Sequence, residues 1–157
     1  LGLLALGELC RRMPDVEVVF AGWNLKRYRI PFRHADAGVV PMGGLAPLYR
    51  SCDAALVLSF TNLSLLPLEL MACGVPVVSN HGPQVEWLLD PANAVLAPPT
   101  VDGLAAALHR VLTDPAQRDA LVRGGLERAA RADAAAEAEL VAAVLRQCAD
   151  TVPRSAA

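Results

Sequence analysis

Aromatic residues are scarce, at 4% of the 157 residues, so whatever core this chain builds must be aliphatic, carried by alanine, valine and leucine. A basic surplus is also missing. The formal net charge is −2 and the pI about 5.9, which argues against nucleic acid as a partner, because phosphate backbones are met by clustered Lys and Arg. The one basic cluster, Lys26, Arg27, Arg29 and Arg33, reads as a solvated loop between strands, with a local anion site as the alternative. Closely spaced cysteines are absent. Cys10, Cys52, Cys73 and Cys148 lie too far apart to write a zinc knuckle or a redox pair, and Cys52 and Cys73, inside apolar segments, read as small core residues. No paired-aspartate motif calls for a metal, and none is expected. The apolar opening Leu1 to Leu6 has no basic stretch before it and no small-residue cleavage site after it. The uncharged run from Ala54 to Leu68 is too short to span a bilayer and contains Pro67. A reducing cytoplasm is the simplest setting, and the lack of an initiator methionine marks the chain as a fragment.

What is present is a globular composition: 54% hydrophobic and 19% charged residues, enough to bury a core and too apolar for a disordered chain. Leu3, Leu6, Leu9 and Met13 recur at helical spacing and predict a helix over Leu1 to Met13, stopped by Pro14. Val16 to Ala21 reads as a strand, the polar and basic stretch on to Ala37 as loop, and Gly38 to Val40 as a short strand. Leu45 to Cys52 reads as a short helix with Pro47 in its first turn. Ala54 to Ser59 is a strand apolar on both faces, which belongs in the middle of a covered parallel sheet. A loop, Phe60 to Leu66, leads to a helix from Pro67 to Cys73 with Gly74 at its C-terminus. Val75 to Ser79 and Ala94 to Ala97 are further strands, with Gln84 to Leu89 a helical turn between them. From Val101 the pattern is helical. Leu104, Ala107, Leu108, Val111 and Leu112 form one stripe, Asp114-Pro115 opens a second helix running to Arg131, and an alanine-rich helix covers Glu137 to Cys148, favoured to pack on its own domain, with a docking face for another domain as the alternative. Residues 1–150 are expected to form one domain and 151–157 a disordered tail. Alternating strands and helices imply an α/β fold, a Rossmann-like parallel sheet with helices on both faces and extra C-terminal helices.

Ligands of such folds sit beyond the carboxyl ends of the strands. The loop there with most to offer is Ser59-Phe60-Thr61-Asn62-Leu63-Ser64-Leu65-Leu66-Pro67-Leu68-Glu69. It runs from a buried strand to a helix start, where free amides and the helix dipole suit a diphosphate without net basic charge. Glu69 falls in the first helical turn, where it can accept hydrogen bonds from two ribose hydroxyls. An acid at that position also complements the dipole by about 0.3–1 kcal/mol with no ligand at all, so the residue by itself leaves both readings open. His34, His81 and His109 do not cluster, and Trp23 and Trp87 read as packing residues.

The segment Pro67-Leu68-Glu69-Leu70-Met71-Ala72-Cys73-Gly74-Val75-Pro76-Val77-Val78 resembles the signature of retaining GT-B-fold glycosyltransferases of the family-4-like group, Pro-x-x-Glu-x-Met-Ala-x-Gly-x-Pro-Val-Val. The flanks continue the likeness in order: Leu48-Tyr49-Arg50-Ser51-Cys52-Asp53, then Gly82-Pro83 with Glu86, then Leu96 to Pro99 followed by Leu104 to Leu108. The resemblance implies the C-terminal, donor-binding domain of a two-domain enzyme, with a nucleotide-diphosphate sugar as substrate. Glu69 matches the second acid of the Glu-x7-Glu motif, which holds the ribose, and the amides near Leu63, Ser64 and Leu65 would approach the donor sugar and phosphates. The partner it implies is a missing N-terminal acceptor domain of the same enzyme, which could bring the protein to the inner membrane face.

Two departures stand out. Thr61 occupies the place of the motif's first acid, so sugar recognition must differ; a Thr-Asn-x-Ser loop is similar to that of a rhamnosyltransferase-like subgroup and suggests a 6-deoxysugar donor. The family's first strand, with a basic residue in the loop after it and another in the next helix, would precede Leu1; Lys26 or Arg27 could substitute, though spacing does not demand it. Without that strand, the strands containing Val18 and Leu56 would face a gap, filled by another segment or chain, or closed up. Two other readings share the fold: a nucleotide-sugar epimerase, which needs further acids and a histidine, and a degenerate scaffold domain, for which Thr61 speaks.

Overall fold

The computed structural model describes residues 1–22 and 25–151; Trp23, Asn24 and most of the expected tail (152–157) lie outside them. Seven helices and five strands follow in the order α1 (Gly2–Arg12), β1 (Val18–Phe20), β2 (His34–Asp36), α2 (Met42–Arg50), β3 (Ala55–Val57), α3 (Leu66–Ala72), β4 (Val77–Asn80), α4 (Pro83–Glu86), β5 (Ala94–Ala97), α5 (Val101–Thr113), α6 (Pro115–Ala130) and α7 (Ala134–Thr151) among the described residues. All strand pairs are parallel, as the apolar runs and intervening helices require.

β4 lies between β3 and β5, and all four of its residues are buried. Alternate residues of the strand feed opposite faces. On one face Val78 joins Ala5 and Leu9 of α1, Leu104 and Leu108 of α5, and Leu121 of α6. On the other Val77 joins Leu70 and Met71 of α3, with Val85 and Leu89 around α4. Helices therefore cover both faces of this sheet. α1 is tied to α5 by Arg12, whose guanidinium reaches Asp102 at 2.9 Å. Glu8 accepts from both Arg11 and Arg12, hydrogen bonds that hold its carboxyl at about 2.

The expectation that Ala54 to Ser59 runs through the middle of a sheet is corrected. β3 forms the outer edge of its three-stranded sheet, and β1 and β2 form a separate pair. The strands around Val18 and Leu56 neither close up nor pair. A cavity of about 1040 Å³ separates them, walled by Val18 and Phe20 on one side, Ala55 and Val57 on the other, with Leu70 and Leu108 from the helices. β1 and β3 thus each present an edge unpaired on the cavity side.

The second strand lies at His34–Asp36, inside the stretch read as loop, and not at Gly38 to Val40. Its register with β1 sets Val18 against His34 and Phe20 against Asp36. The next residues cannot extend it: Asp36 Oδ1 accepts the Gly38 amide at 2.9 Å, and Gly38 takes φ +61°, a left-handed turn that ends extended structure. α2 begins at Met42, so Pro47 sits inside the helix rather than in its first turn, where it removes one backbone bond.

Helix ends follow their sequence signals. Thr100 Oγ1 accepts the Gly103 amide at 3.1 Å and Asp114 Oδ1 the Gln117 amide at 3.0 Å, N-caps that hold α5 and α6. α3 closes at Gly74, φ +75°. The Val75 amide returns to the Leu70 carbonyl at 3.0 Å and the Gly74 amide to Met71 at 2.9 Å, the paired bonds of a Schellman closure, with Val75 and Leu70 in one apolar cluster. α7 departs from expectation. Its apolar face is not buried on its own domain: Leu140, Val141, Val144 and Leu145 are all exposed, Leu140 at 69%.

Two sets of stability changes follow. Gly124 brings α6 against the Ala92 carbonyl, and a methyl there would strike backbone; Gly124→Ala is expected to cost about 2 kcal/mol, whereas Gly43→Ala on α2, with open space around it, should add about 0.5 kcal/mol. On β4, Ser79 Oγ is buried without a partner among the described residues. Its neighbour Asn80, also fully buried, accepts the Ser59 amide at 2.9 Å and donates to the Ser59 carbonyl at 2.8 Å. Ser79→Ala should leave stability level or raise it by up to about 1 kcal/mol, while Asn80→Leu strands the Ser59 groups and should cost about 3 kcal/mol. Urea unfolding monitored by circular dichroism reads all four.

Candidate functional site

The loop singled out in the sequence leaves β3 and enters α3 at the carboxyl end of the parallel strands. Its start is fixed from the neighbouring strand. Asn80, the last residue of β4, clasps both backbone groups of Ser59, and Gln84 Nε2 adds a bond to the Ser59 carbonyl at 3.0 Å. Asn80 Nδ2 also reaches the His81 carbonyl at 3.1 Å. Neither Asn80 nor Gln84 was marked by the sequence. A polar residue closing an apolar strand gives no sign of a partner 21 positions away.

Within the loop the side chains divide. Leu63 is buried in the cluster with Val57, Leu70 and Val85, and so anchors the loop. Thr61, Asn62, Ser64 and Leu65 are exposed. Thr61 Oγ1 donates to Asn62 Oδ1 at 3.4 Å, and Ser64 Oγ accepts the Leu66 amide at 3.3 Å. Among the described residues, the amides of 60–65 donate to no acceptor. A buried leucine beneath a run of unpaired N–H groups makes a surface suited to an anion.

Glu69 lies in the first turn of α3, exposed to solvent. Its Oε2 accepts a hydrogen bond from Tyr49 Oη at 3.1 Å. Tyr49 projects from α2, its ring packed against the same apolar cluster that holds Leu63. Burial, then the bond to Glu69 and its charge, push the phenol pKa up, so the hydroxyl remains a donor through neutral pH.

His81 follows β4 directly. Its Nδ1 lies 3.2 Å from Glu86 Oε1, the same oxygen that accepts the Gly82 amide at 3.0 Å. The His81 hydrogen bond and then the Gly82 amide hold the Glu86 carboxyl below its ordinary range. His34 and His109 lie apart from this pair, on β2 and α5. Trp87 is not a packing residue: it is 60% exposed, with Nε1 bonded to the Gln84 carbonyl at 3.0 Å, because Val85, Leu88 and Leu89 take the inward face of that turn. In the basic cluster Arg33 pairs with Glu17 at 3.3 Å, while Arg27 and Arg29 are exposed. Among the described residues no disulfide is formed; Cys10 is buried and Cys52 and Cys73 partly so. Among the described residues no group of three or more His, Cys, Asp or Glu side chains could hold a metal ion, and no helix is long and apolar enough to cross a membrane.

The chain as a whole is similar to known proteins. The O-antigen biosynthesis protein RfbC of Myxococcus xanthus is 40% identical over 146 residues, 90% of this chain but 12% of its own length. The D-inositol 3-phosphate glycosyltransferase of Kribbella flavida is 34% identical over 57% of this chain and 22% of its own length. Sucrose-phosphate synthase from Thermosynechococcus elongatus shares the fold with a TM-score of 0.78 at 24% identity, over 96% of this chain and 43% of that one. HepE of Anabaena, solved with UDP-glucose, gives 0.76 at 19% identity over 93% and 44%. The chain thus spans less than half the length of each of these proteins. The glycosyl transferase-like family matches residues 4–141, nearly the whole of the described structure, and the chain belongs to that family.

Proposed function

We propose that the chain is the donor-binding domain of a glycosyltransferase that moves a sugar from a nucleotide-diphosphate sugar to an acceptor. One observation carries the reading: at the carboxyl end of β3, a loop whose amides of 60–65 have no acceptor among the described residues leads into the helix whose first turn carries the exposed carboxylate of Glu69. Amides suit a pyrophosphate, and a carboxylate suits a pair of ribose hydroxyls. Thr61, Asn62, Leu63, Ser64 and Leu65 supply the anion-facing loop, and Glu69 the ribose contact. The HepE structure, which holds UDP-glucose on the same fold, supports a nucleotide sugar as the ligand class.

Thr61 stands where the resembling family has an acid, and a hydroxyl there can donate to a sugar oxygen as a carboxylate cannot. This favours a donor sugar with fewer hydroxyls to satisfy, such as a 6-deoxysugar. The acceptor belongs to a further domain of a longer protein, and this chain alone binds donor weakly and transfers nothing. The wide spacing of the cysteines fits a reducing cytoplasmic setting, and a further domain could place the enzyme at the inner membrane face. Binding needs no metal, since amides rather than a cation meet the phosphates. An epimerase would need further acids and a histidine around the sugar; His81 and Glu86 are instead tied to each other and to the Gly82 amide.

Titration with ADP, GDP and UDP, followed by backbone amide shifts, is expected to perturb residues 61–69 with at least one of them, in the presence of a chelator as in its absence. Glu69→Gln should weaken that binding about tenfold, the yield of a charge-assisted hydrogen bond. Spectra unmoved by every nucleoside diphosphate would overturn the assignment.

A further inference from the structure

We infer that Tyr49 is a positioning residue for the Glu69 carboxylate: its hydroxyl occupies Oε2 and fixes the carboxylate plane, leaving Oε1 as the acceptor for a vicinal diol. The inference rests on the donor-site reading above and adds a residue and a selectivity to it.

A glutamate exposed on a helix surface moves freely about its side-chain bonds, and fixing such a side chain costs rotamer entropy. A diol presents two O–H donors side by side, so it is gripped well only by a carboxylate whose plane is already set. Tyr49 can set it. Its ring is half-buried and packed on the cluster formed by Val57, Leu63 and Leu70, so the hydroxyl is placed by the core rather than by solvent. It donates to Oε2 at 3.1 Å across 20 residues of sequence, from α2 to α3. Oε1 has no partner among the described residues. The same core thus fixes the anion loop, through Leu63, and the diol acceptor, through Tyr49. Both are thereby referenced to one core, as a ligand carrying a diphosphate and a ribose requires.

A purely structural role, pinning α2 to α3, would make the same contact. The two roles separate on selectivity for the diol. The test compares the best-binding of ADP, GDP and UDP with its 2′,3′-dideoxy counterpart by calorimetry on the full chain, for the wild type, Y49F, E69Q and the double variant. The wild type is expected to prefer the ribose form about tenfold. Y49F should lose about three- to tenfold in affinity for the ribose form, the yield of one hydrogen bond, and nothing for the dideoxy form. The double variant should be no weaker than E69Q. If E69Q loses the preference and Y49F keeps it, or if Y49F weakens both ligands equally, the positioning role is wrong while the donor site stands. If E69Q itself leaves the ribose preference unchanged, the donor site fails and this inference with it. Should Y49F melt early, E69D asks the same question with the tyrosine intact, because the shorter acid withdraws from the phenol; it should show the same selective loss, and an undiminished ribose preference would overturn the role.

Discussion

The hydrogen bonds between Asn80 and Ser59 are the constraint on which the site depends. β4 is buried on both faces, and a buried amide side chain in that position is costly unless its hydrogen bonds are met inside the protein; the smaller Ser79 hydroxyl goes unpartnered among the described residues. Asn80 meets its own by taking both backbone groups of Ser59, the point where β3 stops being a strand. The bond therefore does two things. It satisfies a buried amide, and it determines where the chain leaves the sheet. From that point the loop has only a few residues to reach α3, and burying Leu63 on the way turns Thr61, Asn62, Ser64 and Leu65 outward. The unpaired amides of the loop follow from its being short, anchored and outside any ladder.

The gap between β1 and β3 shows how little of the fold relies on one continuous sheet. The three-stranded sheet has covered faces of its own, and α1 docks on α5 regardless of the cavity beside it. The cost is two parallel strand edges facing a space walled by apolar side chains, in a fold class whose strands are normally paired on both sides. The candidate site borders this gap, since Tyr49 and Leu70 help to line it, but Ser59 is held to β4 by Asn80 and Leu63 and Tyr49 pack on the cluster around Leu70.

The elements with repeated apolar spacing were legible. The strand at Ala94–Ala97, the stripe along α5 and the caps at Asp114 and Gly74 fell where expected, since burial, dipeptide turn signals and left-handed glycine act locally. His34–Asp36 was not legible: it is a short edge strand exposed on most of its length, with no alternation for a sequence to show. The exposed faces of Trp87 and α7 were misjudged for the converse reason. Apolar character predicts burial only where a partner surface exists, and among the described residues these side chains stay largely exposed. For the site, the loop and Glu69 were visible as a pattern, while Asn80, Gln84 and the bond from Tyr49 were not. Each of those contacts joins residues brought together by packing, and sequence separation hides them.

The resemblance and the geometry bear differently on Glu69. An acid in a first helical turn needs no ligand to justify it, and α3 is short, Leu66–Ala72, so its dipole by itself would be a weak reason to place a charge there. A dipole-serving acid requires no particular side-chain contact. This one has a specific donor, fixed by a core-packed ring, and that donor occupies a single oxygen. Such an arrangement gives little to stability, because an exposed carboxylate loses water to gain the bond. It gains much if a second hydroxyl-bearing group is to arrive at the other oxygen, since the orientation has already been set. The tyrosine is therefore the feature that tips Glu69 from a helix-start acid toward a ligand-binding one.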